Sequence, residues 1–422
     1  MVRETKHTEI GDIPADWEIQ TFEETFRILS NNTLSRENFN NRGGAVRNIH
    51  YGDILTQFTE VLDCSENEIP YVNDLSLLTA STQLLQDGDI VIADTAEDET
   101  VGKVTEVQGI GKDKLVAGLH TIPCRVKKGD FAPGWLGYYM NSNNYHNQIV
   151  PFITGIKVSS ISKTAIAKTL ILIPSLEEQK AISQILSEID LLISEEQKVI
   201  NKIKAVKKGC LSKMFPKNGE VVPEMRLLGF ASDWEQRKLG DVVDYSNGTG
   251  HEEYVLPEGK YELVTLKSIN SEGKLVCSEK FVNEEFETLQ QGTLIMMLSE
   301  QAKGMLGMTT MIPCNNKYVL NQRVAALTLH DYVDGTFLSK AINNKQSYFE
   351  QMGAGTKVQN ITRGHVENCI IALPVYEEQI KIGDYFLNLD NLITLHQCKL
   401  EKYKRIKQGM MSDLLTGKIR LV

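Results

Sequence analysis

Residue types that carry catalytic chemistry occur in this sequence, but not at the spacings that this chemistry requires. Val101-Gly-Lys-Val104 resembles part of a phosphate-binding loop, yet it lacks the preceding glycine and the hydroxyl that contacts Mg²⁺. His251-Glu-Glu253 has no second histidine one helical turn away, as a zinc site of this type needs. Neither a Gly-x-Ser-x-Gly elbow nor an Asn/Asp-Pro-Pro-Tyr/Phe stretch is present in the sequence. The sequence therefore predicts that the chain has no hydrolase or methyltransferase activity of its own.

Two short segments keep a metal-dependent nuclease open as an alternative. Glu258-Gly-Lys260 and Glu272-Gly-Lys274 each place a carboxylate two residues before a lysine, and Asp241 or Asp244 lies upstream. Carboxylates at such spacings hold divalent metals in nucleases. Because each segment has a central glycine, a turn is the competing interpretation and the one that the sequence favours.

The elements that would position any site are written twice in the chain. Residues 155–216 align without gaps onto residues 355–416, and 19 of the 62 positions are identical. An internal repeat indicates that the same structural unit occurs twice, so we predict two copies of one structural frame. Each copy begins with a Gly-x-Lys-Val loop, continues with a short apolar strand at 169–174 or 369–374, and opens a long helical pattern after a proline.

Each long helix is predicted from apolar residues that recur at every third or fourth position, over 182–214 and 382–414. About 40 residues at 1.5 Å each give a helix of roughly 60 Å, whose single apolar stripe needs a partner. We therefore predict that the two helices pack as an antiparallel coiled coil with an internal pseudo-two-fold repeat. Ser175 and Glu178 also predict a capping box at the start of the first helix.

The segments before each long helix are predicted to be globular and built on one order of blocks. Asp-Trp-Glu at 16–18 corresponds to Asp-Trp-Glu at 233–235, whereas the sequences between matching blocks diverge. Alternating apolar runs bounded by turn residues predict strands at 90–93, 118–126, 261–266, 293–298 and 319–329. The predicted fold class is α+β, with two mostly-β α/β domains separated by the two long helices. The predicted segments are 1–158, 159–218, 219–358 and 359–422.

Composition bounds the compartment and the partners. The chain has 422 residues, of which 41% are hydrophobic and 24% charged, which is typical of a globular protein with two or three domains. The absence of an apolar leader or spanning run, and seven cysteines without Cys-x-x-Cys spacing, predict a cytoplasmic protein. The net charge of -10 argues mildly against nucleic-acid binding. Lysines nevertheless concentrate at 197–217 and 399–407, although a solvated helix face explains these runs at least as well.

Three motifs occur twice and in the same order, namely Asp-Trp-Glu at 16–18 and 233–235, Gly-x-Lys-Val at 155–158 and 355–358, and Pro-x-x-Glu-Glu-Gln at 174–179 and 374–379. Together with Gly52-Asp-Ile54 and Leu298-Ser-Glu-Gln-Ala-Lys303, they resemble the DNA-specificity subunit of Type I restriction-modification systems over essentially the whole chain. The resemblance implies that residues 1–158 and 219–358 are target recognition domains, each reading one half of a split double-stranded DNA sequence.

The resemblance also implies what the helices and the partners do. The helices would set the spacing of the half-sites and dock two methyltransferase subunits, which restriction and translocase subunits join. This chain would catalyse nothing and bind no cofactor, since S-adenosylmethionine, ATP and Mg²⁺ are expected on the partner subunits. A coiled-coil scaffold that binds only proteins is the other class that stays open.

Basic and amide side chains in loops are the candidates for DNA contact. Arg42 and Arg47 in the first domain and Lys267, Gln301 and Lys303 in the second are candidates for base edges, whereas Lys157 and Lys357 suit phosphate. The candidate DNA-binding residues are Arg42, Arg47, Lys157, Lys267, Gln301, Lys303 and Lys357. The candidate partner-binding residues on the outer helix faces are Lys202, Lys204, Lys402 and Lys404. For each of these side chains, an exposed charge without a ligand is the competing interpretation.

Overall fold

The computed structural model describes residues 4–217, 219–300, 303–355 and 357–421, and the chain forms two compact units. Unit 1 comprises Met1–Gln197 with Lys399–Val422, and unit 2 comprises Lys198–Cys398. Each unit thus combines parts of several segments that the sequence repeat delimits, and the four-segment division stays a prediction. Among the described residues, no helix combines the length and the apolar character that crossing a bilayer requires.

Unit 1 consists mainly of short strands that precede the first long helix. Its strands are β1 (Thr5–Thr8), β2 (Gly11–Pro14), β3 (Glu18–Thr21), β4 (Phe26–Ile28), β5 (Phe39–Asn40), β6 (Arg47–Ile49), β7 (Val61–Asp63), β8 (Tyr71–Val72), β9 (Ile90–Ala93), β10 (Thr95–Ala96), β11 (Val104–Gln108), β12 (Leu115–Ala117), β13 (Thr121–Val126), β14 (Ser159–Ser160) and β15 (Leu170–Ile173). Its helices are α1 (Phe22–Thr25), α2 (Tyr51–Thr56), α3 (Trp135–Met140), α4 (Asn143–Ile149), α5 (Lys163–Ile166), the first part of α6 (Leu176–Lys213) and the last part of α10 (Tyr376–Leu414).

Unit 2 repeats this order with fewer strands. Its strands are β16 (Glu235–Lys238), β17 (Val243–Asn247), β18 (Tyr261–Val264), β19 (Phe281–Val282), β20 (Leu294–Met297), β21 (Ser299–Glu300), β22 (Thr309–Met311), β23 (Tyr318–Leu320), β24 (Val324–Leu329), β25 (Gln359–Asn360) and β26 (Ile370–Leu373). Its helices are α7 (Gly335–Asn343), α8 (Gln346–Met352), α9 (Arg363–Glu367), the last part of α6 and the first part of α10 (Tyr376–Leu414).

The two units share one sheet topology. The main sheet has the order β4-β13-β9-β11-β7 in unit 1 and β17-β24-β20-β22 in unit 2, so unit 1 adds one strand. A second sheet pairs β12 with β6 and β23 with β18, both in parallel. Two-stranded sheets join β3 to β15, β16 to β26, β10 to β14 and β21 to β25. The predicted fold class, two mostly-β domains on one repeated frame with two long helices, is confirmed.

Within unit 1, the beginning of α6 packs against the end of α10. Ile182 and Leu186 share a hydrophobic core with Leu414. One turn further along α6, the Lys407 ammonium group binds the Asp190 carboxylate at 2.6 Å. Ile182 and Leu186 thus meet Leu414, whereas the later residue Asp190 meets the earlier residue Lys407, so the two helices run antiparallel in this unit.

Within unit 2, the end of α6 packs against the beginning of α10. Cys210 and Met214 share a core with Ile382 and Phe386. Lys207 binds the Asp390 carboxylate at 2.5 Å, which repeats with exchanged helices the ion pair of unit 1. The antiparallel packing predicted from the apolar stripe is therefore present in each unit.

Asp190 and Asp390 stand at equivalent positions in opposite charge environments. Asp190 shares Lys407 with a second carboxylate, that of Glu60, whereas Asp390 receives the helix lysine and also Lys340 at 2.8 Å. Burial raises the pKa of Asp190, and Glu60 prevents Lys407 from reversing this shift. Burial acts in the same direction on Asp390, but its two ammonium partners outweigh it and the pKa is lowered.

Asp390→Asn is expected to lower the free energy of unfolding at pH 7 by about 1–3 kcal/mol, since it removes a buried charged acceptor. The lowered pKa means that this stabilisation is fully present above the unfolded pKa of about 3.9 and is lost as the pH falls through the folded value. Urea unfolding between pH 3 and pH 7 measures the difference. Asp190→Asn is the matched comparison, with a smaller or stabilising effect at pH 7 because its pKa is raised. An Asp390→Asn effect that persists undiminished at pH 3 contradicts this account.

The repeated tryptophan and glutamate motifs meet at the start of α6. Trp17 Nε1 donates a hydrogen bond to Glu178 Oε2 at 3.0 Å, and Arg420 binds the same carboxylate. The Ser175 hydroxyl accepts from the Glu178 N–H at 3.2 Å, so the serine half of the predicted capping box is confirmed. The glutamate half is wrong, because tryptophan and arginine occupy the carboxylate that would otherwise cap a backbone N–H.

Unit 2 contains the corresponding arrangement at the start of α10. Arg226 donates two hydrogen bonds to the buried Glu378 carboxylate, from Nε at 2.8 Å and from Nη2 at 2.7 Å. Trp234, the counterpart of the first tryptophan, is buried, and its indole N–H finds no acceptor among the described atoms. In each unit an arginine that follows one long helix therefore fixes the first turn of the other.

One predicted strand is wrong in an informative way. The apolar run 319–329 forms two strands, β23 and β24, which the turn at 321–323 separates. Arg323 has a φ of 68°, in the left-handed region that a strand does not use. The predicted strand 118–126 likewise begins only at Thr121, after His120 with a φ of 55°. The strands predicted at 90–93, 261–266 and 293–298 are present as β9, β18 and β20 with end shifts of at most two residues.

Candidate nucleic-acid interface

A left-handed turn residue precedes the same strand of the main sheet in both units. His120 stands directly before β13, and Arg323 stands directly before β24. The Asp94 N–H donates to the His120 carbonyl at 3.1 Å, and the Leu298 N–H donates to the Arg323 carbonyl at 3.0 Å. Both side chains are exposed. The shared frame therefore presents two different side chains at one equivalent position.

In unit 1 this turn borders a cluster of rings. The Tyr51 ring meets the His120 ring edge-on, with centroids 5.2 Å apart, and lies 4.5 Å from the His50 ring. Thr95 Oγ1 is 3.2 Å from His120 Nδ1. Burial lowers the pKa of His50, so at neutral pH its Nδ1 accepts the Gly52 N–H, at 3.1 Å. Unit 1 thus offers ring edges and polar groups at the turn, among them the Asp94 carboxylate, 3.4 Å from His120 Nδ1.

The Gly52-Asp-Ile54 motif lies on α2, next to Tyr51, and anchors this helix to the rest of unit 1. Asp53 is buried and binds the Arg36 guanidinium through both carboxylate oxygens, one of them 3.0 Å from Nη1. Ile54 is fully buried in the core under α2. The motif therefore positions α2 and its Tyr51, and its acidic residue faces the protein interior.

In unit 2 the turn borders a depression of about 320 Å³ with an excess of basic side chains. Lys267, Lys280 and Arg323 line it together with Glu252 and Gln322. Gln322 Nε2 donates to Glu252 Oε1 at 2.5 Å, and this hydrogen bond lowers the pKa of Glu252. Three cations thus surround one ionised carboxylate, an arrangement suited to a ligand that presents acceptors and a donor side by side.

The two Gly-x-Lys-Val loops lie next to these turns. Gly155 and Gly355 have φ values of 112° and 135°, and a Cβ at either position would come within about 2 Å of a backbone carbonyl oxygen. Only glycine fits such a loop. The strands that follow the loops, β14 and β25, pair with β10 and β21 respectively. Lys157 and Lys357 are both exposed on these loops.

Lys303 and Gln301 follow β21. Lys303 is exposed, and the loop that carries it folds around Glu300, whose carboxylate accepts the N–H groups of Met305 at 2.7 Å and Leu306 at 2.8 Å. Gln301 lies outside the described residues, so its assignment as a DNA contact stays a prediction.

The two arginines predicted for the first domain have different surroundings. Arg42 is exposed in a turn where the Asn40 side chain accepts its backbone N–H at 2.8 Å. Arg47 is half-buried, donates to the Cys64 carbonyl at 2.7 Å and binds the Asp113 carboxylate at 2.8 Å. Much of the Arg47 donor capacity is therefore used inside unit 1, whereas the Arg42 guanidinium faces solvent.

The four helix lysines predicted to bind partners are exposed. Two of them make ion pairs, Lys204 with Glu272 at 3.0 Å and Lys404 with Glu401 at 2.9 Å. Lys202 and Lys402 stand at equivalent positions of α6 and α10. Exposed pairs of this kind contribute little to stability, so they leave the lysines available to other partners.

Each long helix also exposes leucines in the half that follows its start. On α6 the exposed fractions are 61% for Leu191 and 43% for Leu192, and on α10 they are 43% for Leu392 and 62% for Leu395. Leu192 and Leu392 stand at equivalent positions of the repeat. The two helices thus expose leucines at equivalent places of the repeat.

Sequence reasoning missed His120, Arg323 and Gln322, because it read the turn as part of a strand. A signal was present in unit 2, where Asn-Gln-Arg interrupts an otherwise apolar run. Within the described ranges, no group of three or more His, Cys, Asp or Glu side chains is arranged to hold a metal. In the two segments of the nuclease alternative, Glu272 pairs with Lys204, and Lys260 lies over the Tyr261 ring at 4.7 Å.

Comparison with known proteins connects this frame to one family. Residues 14–205 and 231–405 match the family model described as Type I restriction modification DNA specificity domain. The type I restriction enzyme MjaX specificity subunit of Methanocaldococcus jannaschii is 26% identical over 426 aligned residues, which cover 99% of this chain and 96% of that protein. The MjaVIII specificity subunit of the same organism is 26% identical over 283 residues, which cover 63% of this chain and 66% of that protein.

Two solved structures have a similar fold. The S subunit of a Type I restriction-modification system from M. genitalium superposes with a TM-score of 0.60 at 14% identity, over 94% of this chain and 96% of that one. A chain from a study of complex assembly and conformational transition of the type I restriction-modification system superposes with a TM-score of 0.59 at 14% identity, over 96% and 99%.

Proposed function

Because the chain belongs to the family of Type I restriction modification DNA specificity domains, we propose that it is the specificity subunit of a Type I restriction-modification complex. Each unit reads one half of a split target on double-stranded DNA. The chain itself catalyses nothing, and S-adenosylmethionine, ATP and Mg²⁺ act on partner subunits in the cytoplasm.

The observation that carries this proposal is the pair of equivalent turns with unlike side chains. A reader of two different half-sites needs one frame that docks on DNA in the same way twice, with different groups at the base edges. His120 with Tyr51 in unit 1, and Arg323 with Lys267 in unit 2, fit this requirement. A scaffold that binds only proteins has no need for such a difference on a shared frame.

Contacts to the DNA backbone and to the bases divide between loops. Lys157 and Lys357 stand on equivalent loops and bind phosphate, which supplies affinity without sequence preference and with strong salt dependence. The turns carry the sequence preference through hydrogen bonds to base edges. Arg42 and Lys303 extend the contact surface of their units on exposed loops.

The outer faces of the long helices dock the partner proteins. Each unit offers exposed leucines of one helix and exposed lysines of the other, so two methyltransferase subunits bind, one to each unit. Unit 1 contributes Leu191, Leu192, Lys402 and Lys404, and unit 2 contributes Leu392, Leu395, Lys202 and Lys204. Restriction and translocase subunits then join this core.

The target is tested by mapping methylated adenines in a host genome with and without this chain, in the presence of its methyltransferase partner. We expect one split motif whose methylation disappears completely when the chain is deleted. Methylation that is independent of the chain contradicts the proposed function. DNA cleavage by the purified chain with Mg²⁺ alone would instead support the nuclease alternative.

Docking is tested by Leu192→Asp and Leu392→Asp, which place a charge in each proposed apolar contact. Each single variant is expected to lose one methyltransferase subunit from the purified complex, and the double variant both, as measured by the mass of the complex in solution. Leu228→Asp is the matched control, since Leu228 is 99% exposed but lies outside the helices. A double variant that still binds two subunits refutes this docking surface.

A further inference from the structure

The turn position before β13 and β24 is one where glycine would fit with least strain. A φ of 55° or 68° lies in the region that most side chains disfavour, and non-glycine residues there cluster at functional sites. Yet both units retain a large side chain, His120 in one and Arg323 in the other. Both side chains are exposed and neither packs the core. His120 contacts Tyr51 and Thr95 at the surface, whereas the Arg323 side chain lines an open depression.

The depression around Arg323 has a chemical pattern that phosphate does not match. A phosphate site gathers cations and backbone N–H groups, whereas here the Glu252 carboxylate lines the same depression as Arg323. The hydrogen bonds that Gln322 and Asn321 donate to Glu252 Oε1, at 2.5 and 3.2 Å, hold that carboxylate in place and leave acceptor capacity on it. A fixed carboxylate would repel a phosphate group.

The same pattern matches the major-groove edge of a G·C base pair. Guanine presents two acceptors, O6 and N7, that the guanidinium fork binds in a bidentate manner, and cytosine presents the N4 amino donor beside them. An arginine next to a carboxylate supplies the donors for the guanine and the acceptor for its paired cytosine. An A·T pair presents a different order, because its amino donor, adenine N6, lies between the acceptors adenine N7 and thymine O4, so it offers no two adjacent acceptors to the guanidinium fork.

We propose that Arg323 and Glu252 together read one G·C base pair in the half-site of unit 2, with Arg323 on guanine and Glu252 on cytosine. This inference rests on the proposed function and goes beyond it by assigning a base pair to named side chains. Lys280, which also lines the depression, binds a flanking phosphate. The equivalent turn in unit 1, with His120, reads a different base pair in the other half-site.

The test is the methylated motif produced by complexes that carry Arg323→Gly or Glu252→Gln. Glycine is the substitution of choice because it suits a φ of 68° and removes the whole side chain, so folding is expected to be unharmed. We expect each variant to lose the preference for one G·C pair in one half-site, by about tenfold to a hundredfold. The other half-site keeps its sequence. Arg237→Ala, which removes an exposed arginine elsewhere in unit 2, leaves the motif unchanged.

Other outcomes overturn the inference in distinguishable ways. If the Arg323→Gly complex melts like the wild type and methylates the unchanged motif, the base-reading role is wrong while the proposed function stands. If methylation weakens equally at all sites without a change of motif, Arg323 contacts phosphate and the inference also fails. If the wild-type complex produces no split motif, the proposed function fails, and this inference fails with it.

Discussion

A complex whose two long helices are each extended by four residues, after Gln197 and after Cys398, is expected to recognise half-sites that lie about two base pairs further apart. Four residues add about 6 Å of helix at 1.5 Å per residue, and B-DNA rises 3.4 Å per base pair. Each half-site keeps its own sequence, because no turn or loop of either unit is changed. Mapping methylated adenines for the extended complex measures the new gap directly.

The insertion points are chosen so that neither unit loses a contact. They coincide with the boundaries between unit 1 and unit 2 along both helices. In unit 1 the ion pair of Lys407 with Asp190 keeps its partners, and in unit 2 so does that of Lys207 with Asp390, because each pair lies wholly on one side of the insertions.

Two controls separate a ruler from a general loss of order. The same four residues inserted between Gly43 and Gly44, in an exposed turn of unit 1, should leave the gap unchanged. An insertion in α6 alone shifts one helix against the other and is expected to impair binding altogether. If the doubly extended complex methylates sites with the original gap, the helices do not set the spacing.

The parts of the fold that could be predicted from the sequence are those that the chain repeats. Trp17, Glu178, Glu378 and the prolines before the long helices recur because both units need the same joints between strand, helix and terminal segment. Connections of this kind can be found in a sequence because the two copies of the repeat have identical residues at equivalent positions. The direction of the two long helices was predicted as well, because their apolar stripes have equal length and each helix needs the other to bury its stripe.

The candidate site could be predicted only in part, because its residues are the ones that the repeat does not share. Arg323 and His120 have neither identity nor charge in common, and only the backbone hydrogen bonds around them show that they are equivalent. Arg47, whose assignment as a DNA contact stays a prediction, shows a second reason. Its glycine-rich surroundings suggested a base contact, but whether an arginine is used by Asp113 and Cys64 inside the protein depends on residues distant in sequence.

The largest effect on stability is expected from Arg226→Ala. Glu378 is completely buried, and Arg226 supplies both of its charged hydrogen bonds, at 2.8 and 2.7 Å. Removing one partner leaves an unpaired buried charge, which costs about 3–5 kcal/mol. Since the pair fixes the first turn of α10 in unit 2, we expect this unit to unfold at a lower urea concentration, as amide hydrogen exchange resolved by unit will report.

Three companion variants identify the cause of that loss. Arg237→Ala removes an exposed arginine whose partner, Glu235, is itself exposed, so its cost should not exceed about 1 kcal/mol. Adding Glu378→Gln to Arg226→Ala removes the orphaned charge and should recover much of the stability. Arg420→Ala should repeat the effect in unit 1, where Glu178 retains only its tryptophan donor among the described side chains. Equal losses for Arg226→Ala with and without Glu378→Gln would mean that packing of the arginine stem, and not the buried charge, fixes the helix start.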